Sequence, residues 1–378
     1  MLSSLPYISS VPSPCYMIDL DLIEQNLRVL ASVRERTGAK VLLALKGFAA
    51  FCTAPLINQY LDGTCASGAF EARLGAEEFG GAVHAYSPAF SDESLTDTAR
   101  YATEISFNSP AQWQRFRPSV PSSIRCGLRI NPEQSEAPRA IYDPCAPGSR
   151  LGTRASELQG ADLDGISGCA FHTLCEADSH ALERTLKAVE EKFPQLLEQC
   201  DWVNFGGGHH ITRADYDVDH LCQLITTFRD RHGVEVILEP GEAIALDAGF
   251  LIATVLDIVH NDGDTAILDT SASAHMPDVL EMPYRPDISG AGDPGTRQFS
   301  YRLGGQTCLA GDIIGEYSFD TRLEIGQRLV FHDMAHYSMV KNNTFNGVPL
   351  PAIATHSASA GTTIVKEFTY RDYRDRLS

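Results

Sequence analysis

The sequence has a deficit of basic residues and no long uninterrupted apolar run. Its 378 residues include 30 Lys and Arg against 49 Asp and Glu, a formal net charge of −19. A nucleic-acid binder needs basic side chains to neutralise phosphates, so this balance argues against that class. The most apolar stretch, residues 243–259, is interrupted by Asp247 and Asp257. We therefore expect no membrane span and no nucleic-acid partner.

The sequence also lacks a Cys-x-x-Cys pair and an N-terminal signal pattern. The ten cysteines are scattered singly, which is typical of reduced thiols rather than of a disulfide scaffold or a zinc finger. Residues 1–10 have no basic start followed by a long apolar run. These absences predict a cytoplasmic protein. Hydrophobic residues make up 43% of the chain, enough for the core of one large or two medium domains.

Apolar, β-branched runs alternate with amphipathic stretches over the first two thirds of the chain. Helices are predicted at residues 20–36 and 181–199, and a third from about Thr212, with Asp215 as a capping partner. This rhythm favours an α/β fold, a (β/α)8 TIM-like barrel, over the alternative of a doubly wound open sheet. Eight strands are predicted, at residues 41–46, 61–67, 82–88, 103–108, 124–131, 165–172, 201–208 and 234–241.

The pattern changes after Pro240, where helical periodicity becomes rare. Strands are predicted at residues 248–259, 264–269, 297–303 and 327–331, separated by Gly, Pro, Asp and Asn. We therefore predict a C-terminal β-rich domain. The expected organisation is a cofactor-binding barrel over residues 20–244 and a β-rich domain formed by residues 1–19 and 245–378.

Four features lie at the carboxyl ends of predicted barrel strands, where such barrels build their active sites. Lys46 follows the apolar run VLLAL, and burial would lower its pKa and free its amine to react with an aldehyde. His172 could stack on a flat ring, and Glu239 could keep a pyridine nitrogen protonated. Gly206, Gly207 and Gly208 could bring backbone N–H groups close to a phosphate. Together they fit a phosphate-bearing aldehyde cofactor.

Each of these residues also has a structural interpretation. Lys46 could extend from a strand end into solvent, and the three glycines could form a flexible turn. His172 could be an ordinary core residue, and Glu239 could cap nearby backbone groups. We expect His209 and His210, which follow the glycines, to have a turn or surface role, and no metal site is predicted.

The motifs together carry a resemblance that covers nearly the whole chain. Cys308 and Asp312 lie in a glycine-rich segment, and Tyr337 follows a predicted strand. The chain resembles the fold-type III, alanine racemase-like pyridoxal-phosphate (PLP) decarboxylases, and within them most of all the carboxynorspermidine and carboxyspermidine decarboxylases. The motifs that carry the resemblance are ALKG at 44–47, CAS at 65–67, YDPCAPGSRLG at 142–152, FHTLCE at 171–176, NFGGGHH at 204–210, LEPGEA at 238–243, TCLAGD at 307–312 and DMAHYSMVKNNTFNG at 333–347.

The resemblance implies a role for each matched position. Lys46 would hold PLP covalently, His172 would stack on its ring, and Glu239 would pair with its pyridine nitrogen. Gly206, Gly207 and Gly208 would hold the phosphate with help from Tyr337. Cys308 would come from the neighbouring subunit of a homodimer and would protonate the substrate carbon after carbon dioxide leaves. The implied function is decarboxylation of carboxynorspermidine or carboxyspermidine in polyamine biosynthesis.

Substrate recognition is the least constrained part of the resemblance. Ornithine-type relatives have Arg after Glu-Pro-Gly, whereas this chain has Glu242, which leaves the phosphate charge uncompensated and could bind a polyamine ammonium. Within residues 268–286 we expect Asp278 to recognise the distal amine, with His275 and Glu281 behind it. Asp312 is a further candidate for substrate binding.

Three alternative functions remain open from the sequence. The first is a racemase or a decarboxylase of ornithine, lysine or diaminopimelate, although racemases of this fold place an arginine rather than Glu239 against the pyridine nitrogen. The second is a non-catalytic PLP-binding homologue, which would have no need of Cys308. The third is a metal-dependent barrel hydrolase, which would need paired histidines at strand ends. One methylene separates carboxynorspermidine from carboxyspermidine, and a methylene supports only ~1–3 kcal/mol of discrimination.

Overall fold

Eight parallel strands close into a barrel in the computed structural model, which describes residues 8–137 and 139–378. This confirms the predicted barrel and excludes the open sheet. The first strand of the chain, β1 (Cys15–Asp19), lies outside the barrel. The barrel strands are β2 (Lys40–Ala44), β3 (Gly63–Ala66), β4 (Ala82–Tyr86), β5 (Glu104–Phe107), β6 (Arg125–Arg129), β7 (Gly168–Ala170), β8 (Trp202–Asn204) and β9 (Glu235–Leu238).

Helices connect the barrel strands, as expected for βα units. Their bounds are α1 (Leu20–Thr37), α2 (Ala54–Ile57), α3 (Ala69–Leu74), α4 (Asp92–Ala99), α5 (Pro110–Phe116), α6 (Ser179–Lys192), α7 (Pro194–Leu197), α8 (Val218–His232) and α9 (Glu242–Ala245). The helix predicted at 181–199 is interrupted after Phe193, because Pro194 lacks an N–H group and cannot continue α6.

The predicted start of the third helix near Thr212 is wrong. Thr212 donates its hydroxyl to the carbonyl of Ala243, and α8 begins six residues later, where the Asp217 carboxylate accepts from the backbone N–H of His220 at 2.9 Å. The aspartate is the stronger cap because it satisfies one of the free N–H groups of the first turn.

The barrel interior is filled around one large side chain. Trp202 is fully buried, and its indole lies against Gly127 and Gly168 on β6 and β7. A Cβ at Gly168 would lie 2.1 Å from the indole, and one at Gly127 would lie 2.3 Å from it. The two glycines therefore make room for the tryptophan that closes the core of the barrel.

The rest of the chain forms a second compact unit, residues 245–378 together with the segment that ends at Ile23, whereas the barrel unit is Glu24–Ile244. Residues 1–7, which the predicted β-rich domain includes, lie outside the described residues. The elements of this unit are β1, β10 (Gly249–His260), β11 (Asp264–Leu268), α10 (Ala272–His275), α11 (Asp278–Glu281), β12 (Phe299–Gly304), β13 (Ile313–Phe319), β14 (Arg328–His332), α12 (Tyr337–Val340), β15 (Ala352–Ser357), β16 (Gly361–Lys366) and α13 (Tyr370–Arg374).

A single mixed sheet organises this unit, in the order β13-β12-β11-β10-β1-β15-β16, with β14 paired to β10. Strand β10 is long enough, at 12 residues, to pair with β1, β11 and β14 at different positions along its length. The predicted β-rich C-terminal region is therefore confirmed. None of the helices formed by the described residues combines the length and the apolarity needed to cross a bilayer.

Candidate active site

The carboxyl ends of the barrel strands surround a cavity of about 490 Å³, which includes open space at its mouth. Lys46, His172 and Glu239, three of the residues predicted from strand ends, line it together. Lys46 lies in the turn after β2, His172 two residues beyond β7, and Glu239 directly after β9. Parallel strands of a closed barrel bring their carboxyl ends to one face, which explains this convergence of distant residues.

Lys46 and His172 face each other across the cavity. Lys46 Nζ lies 3.3 Å from His172 Nε2, and His172 Nδ1 accepts from the backbone N–H of Gly207 at 3.0 Å. A neutral imidazole that accepts at Nδ1 carries its proton at Nε2. That proton can be donated to Lys46 only if the lysine is a free amine.

The electrostatics of the cavity agree with this arrangement of protons. Burial lowers the pKa of Lys46, and it lowers the pKa of His172 well below its usual value, with Lys46 and Arg129 adding to the effect. Two cations at this separation would repel each other in a partly desolvated site. Both shifts favour the neutral form of the group.

Glu239 remains charged although burial opposes this. Burial raises the pKa of its carboxyl group, but His84, Asn204 and Lys46 together lower it to a net value below normal. Glu239 Oε1 lies 2.7 Å from His84 Nδ1 and accepts from Asn204 Nδ2 at 2.6 Å. A carboxylate that accepts such hydrogen bonds keeps its charge.

Fixed neighbours hold these two supporting residues in place. His84 is 2% exposed, and its Nε2 lies 2.8 Å from the Ser106 hydroxyl. Asn204 is fully buried, and its Oδ1 accepts from the backbone N–H of Gly206 at 2.7 Å, which turns its Nδ2 toward Glu239. The carboxylate is thus held by side chains from two other strands.

Sequence analysis did not identify His84 or Asn204 as site residues, nor Arg129 and Tyr86. Arg129 ends β6, donates to the carbonyl of His172 at 3.2 Å and lies over the Tyr86 ring at 4.4 Å. These residues occupy ends or inner positions of β4, β6 and β8. Their positions near strand ends are the signal that could have found them.

The glycine segment adjoins His172 and is closely packed. A Cβ at Gly206 would lie 2.4 Å from the carbonyl oxygen of Phe171, and one at Gly207 would lie 2.1 Å from that of Glu239. Gly206 also has a φ of +71°, a backbone conformation that favours glycine. These residues therefore have a steric reason to be glycine, which a flexible turn would not require.

Burial contradicts the surface role that was offered for the two following histidines, since His209 is 1% and His210 is 7% exposed. Burial lowers the pKa of His209 to about 4. His210 Nε2 lies 3.2 Å from Glu242 Oε2. Glu242, whose negative charge was expected to bind a substrate ammonium, therefore lies against His210, next to the glycine segment.

The remaining predicted residues belong to the unit that contains the sheet. Cys308 is exposed, in the loop between β12 and β13, and Tyr337 begins α12. Asp312 is buried and accepts from Ser271, Ser273 and Thr307. This network organises the loop that carries Cys308.

All three of the expected amine ligands are already engaged by neighbours. His275 is fully buried, with Nδ1 3.0 Å from the Thr270 hydroxyl and Nε2 3.1 Å from the carbonyl oxygen of Pro349. Burial lowers its pKa to about 4. Asp278 forms an ion pair with Lys341, which also pairs with Glu281.

Comparison with known proteins agrees with this geometry. Residues 15–335 match the family model described as pyridoxal-dependent decarboxylase, C-terminal sheet domain. The chain is 47% identical to a carboxyaminopropylagmatine decarboxylase of Synechocystis sp., over 98% of this chain and 97% of the relative. It is 44% identical to a carboxynorspermidine/carboxyspermidine decarboxylase of Campylobacter jejuni, over 97% and 99% of the two chains.

A solved structure extends the likeness to the fold. The crystal structure of carboxynorspermidine decarboxylase from Campylobacter jejuni, complexed with norspermidine, matches with a TM-score of 0.91 at 42% identity, covering 97% of this chain and all of the other. The resemblance seen in the motifs is thereby confirmed. The chain belongs to the pyridoxal-dependent decarboxylases.

Proposed function

We propose that this chain is a PLP-dependent decarboxylase of polyamine biosynthesis that converts carboxynorspermidine, carboxyspermidine or both to norspermidine and spermidine. The observation that carries the proposal is one cavity in which the buried amine of Lys46, the ring of His172 and the carboxylate of Glu239 meet. The near full-length likeness to the Campylobacter jejuni enzyme supports the choice of substrate class.

The residues of the cavity fit PLP. A free amine can bond to the aldehyde, a carboxylate can face the pyridine nitrogen, and a neutral ring can lie against the pyridine face. Lys46, Glu239 and His172 would supply these three functions. Gly206–Gly208 would lie at the phosphate, with Tyr337 as the further contact that the family resemblance implies. When bound, PLP supplies a conjugated ring that takes up the electron pair released as carbon dioxide leaves.

Glu239 would hold a proton at the pyridine nitrogen throughout the reaction. The hydrogen bonds from His84 and Asn204 keep the carboxylate charged and aimed, so it is ready before the substrate arrives. We assign His84 as a positioning residue because it acts through Glu239. Burial lowers the pKa of Lys46, which favours the free amine that would hold the cofactor.

Cys308 would donate the proton that replaces the lost carboxyl group. Cys308 is exposed, which agrees with a homodimer in which the Cys308 of each chain would contribute to the active site of its partner. Asp312 would then act by fixing the Cys308 loop rather than by touching substrate. The homodimer, the contribution of the β-rich domain to its interface and the cytoplasmic location stay predictions.

A second substrate is favoured by a specific observation, the 47% identity to a carboxyaminopropylagmatine decarboxylase. An agmatine end carries a planar guanidinium, whereas norspermidine and spermidine end in an ammonium. Guanidinium binds carboxylates through two parallel hydrogen bonds, and ammonium binds as a compact point charge. The two substrate types therefore demand different geometry at the distal end.

The test is carbon dioxide release from purified protein with and without added PLP. The panel contains carboxynorspermidine, carboxyspermidine, carboxyaminopropylagmatine, ornithine, lysine, arginine and diaminopimelate. We expect PLP-dependent release from the two carboxypolyamines, and a preference for carboxyaminopropylagmatine would select the second candidate. Release from a simple amino acid alone would refute the substrate class.

Matched lysine variants separate the chemistry from the fold. Lys46→Met should abolish turnover and the absorbance of covalently held PLP. Lys40→Met removes the lysine that begins β2 and pairs with Glu235 at 3.1 Å, six residues before Lys46, and should leave both intact. Turnover by Lys46→Met equal to that of the unmodified protein would overturn the mechanism.

A further inference from the structure

Two histidines and a glutamate that do not line the cavity come together on the barrel unit. His180 and Glu183 lie one turn apart on α6, and His220 lies in the first turn of α8. The geometry points to a binding site for one divalent transition-metal ion of the zinc class, bound by His180, Glu183 and His220. Within residues 8–137 and 139–378, this is the one group of three or more potential metal ligands.

The donor atoms are close to the spacing that such an ion requires. His220 Nε2 lies 3.7 Å and His180 Nδ1 lies 3.9 Å from the same atom, Glu183 Oε2, and all the donor atoms lie within 4.8 Å of one another. Tetrahedral zinc with bonds near 2.1 Å separates its donors by about 3.4 Å. Small rotations of exposed side chains would close the difference.

Hydrogen bonds orient two of the ligands before any ion arrives. His220 Nδ1 lies 3.0 Å from the Ser179 hydroxyl, and a neutral imidazole that donates at Nδ1 leaves its lone pair on Nε2, the atom that faces Glu183. Lys187 Nζ donates to Glu183 Oε1 at 2.8 Å, which leaves Oε2 toward the histidines. Such outer partners are what orient ligands in known metal sites.

The donor set selects the class of ion. Two imidazole nitrogens and one carboxylate oxygen suit zinc, cobalt or nickel, whereas magnesium and calcium prefer oxygen ligands. Water would complete the coordination, since His180 is exposed. A bound ion would join α6 to α8, the helices that follow β7 and β8, and so would stabilise the barrel unit.

The test is zinc binding by the PLP-loaded, dialysed protein, measured by competition with a chromophoric chelator. The ten free cysteines could also bind zinc, so only the difference between variants is informative. We expect His180→Ala and Glu183→Gln each to weaken one tight zinc site at least tenfold. Ser179→Ala, which keeps all three ligands but removes the hydrogen bond to His220, should weaken the site about tenfold.

The same helix pair provides a matched control. His232, at the other end of α8, pairs with Glu190 of α6 at 2.9 Å in a group with one histidine and one carboxylate. His232→Gln should leave zinc affinity unchanged. Zinc should also raise the melting temperature of the unmodified protein but not of His180→Ala, and magnesium should raise neither.

Two results would overturn the inference. One is equal zinc affinity in the unmodified protein, His180→Ala and Glu183→Gln, which would assign the binding to thiols. The other is that the unmodified protein, with a native circular dichroism spectrum, binds zinc no more tightly than His180→Ala does. Neither result depends on the enzymatic reaction, because the measurement is of metal binding and thermal stability.

Discussion

Replacing His84 tests how the chain keeps Glu239 charged inside the cavity. In the His84 ring, Nδ1 contacts Glu239 and Nε2 contacts Ser106. An asparagine at this position can place its amide where Nδ1 was, whereas a glutamine places it where Nε2 was. His84→Asn should therefore preserve the bond that matters for Glu239, and His84→Gln should lose it. The two variants differ by one methylene, which makes them matched controls for each other.

The size of the effect follows from the contact that is lost. A hydrogen bond to a charged group contributes a net ~1.5–3 kcal/mol, which corresponds to a ~10- to 150-fold loss of kcat/KM if the charge of Glu239 acts in the transition state. Burial opposes that charge and His84 is the first of the contacts that favour it. Without His84 the pKa of Glu239 should rise.

The sign of the pH effect follows from that pKa. A carboxyl group with a lowered pKa is charged at higher pH and loses its charge as the pH falls through that value. In His84→Gln, Glu239 should begin to lose its charge at a higher pH than in the unmodified enzyme. The acid limb of the profile of kcat against pH should therefore move upward, while in His84→Asn it should stay near that of the unmodified enzyme.

The assay is initial carbon dioxide release at saturating PLP from pH 5 to 9, together with PLP affinity measured by fluorescence. Ser106→Ala removes the other contact of His84 and should have a smaller effect than His84→Gln. An acid limb that is the same in His84→Gln and His84→Asn, with equal loss of kcat, would refute the reasoning. Such a result would mean that His84 only fills space beside Trp202.

Three further predictions follow from named contacts. Cys308→Ala should retain PLP binding but slow protonation of the substrate carbon ~10²–10⁴-fold or misdirect it. Mass spectrometry would show misdirected protonation as altered products. Unchanged products and rates would exclude Cys308 as the proton donor. Gly207→Ala should lower PLP affinity, measured by fluorescence titration, because its Cβ would lie 2.1 Å from the Glu239 carbonyl oxygen; unchanged affinity would argue against a tight glycine segment. His275, whose pKa falls from 6.5 to about 4 on folding, binds a proton more readily when unfolded, so stability should fall as the pH drops below about 6.5. Between pH 7 and pH 5, the free energy of unfolding measured with urea should fall by about 2 kcal/mol more in the unmodified protein than in His275→Gln. Equal losses in the two proteins would contradict the lowered pKa of His275.

The fold was predictable from local patterns because the barrel strands are short apolar runs that alternate with amphipathic stretches. Each predicted barrel strand overlaps an observed one, and its carboxyl end is predicted one to four residues too far along the chain. No strand was predicted at β13, β15 or β16, and two further errors concern helix ends. The pattern at 181–199 stayed amphipathic across Pro194, and Thr212 with Asp215 had the spacing of a cap without forming one.

The cavity was predictable only where a residue's chemistry is unusual at its position. Lys46 stands out because it follows five apolar residues, although a lysine that extends into solvent fits the same pattern, and Glu239 because it follows the apolar run of a strand. His84 and Asn204 also lie on barrel strands near their carboxyl ends, but neither residue type is unusual at such a position. Their importance comes from contacts with Glu239 across 155 and 35 residues of sequence, which only the closed barrel brings together.

Recognition of the distal amine illustrates why charge in a sequence does not translate directly into a binding site. Asp278 and Glu281 form one acidic pair at the start and end of α11, and the sequence alone suggests two negative charges for a substrate. Lys341 binds both carboxylates and leaves the group with a net charge of about −1. A substrate cation at Asp278 must then share the carboxylate with Lys341 or displace it. If a substrate cation binds here, the single uncompensated charge suits one cationic end rather than two, so the position of Lys341 matters as well as the number of acidic residues.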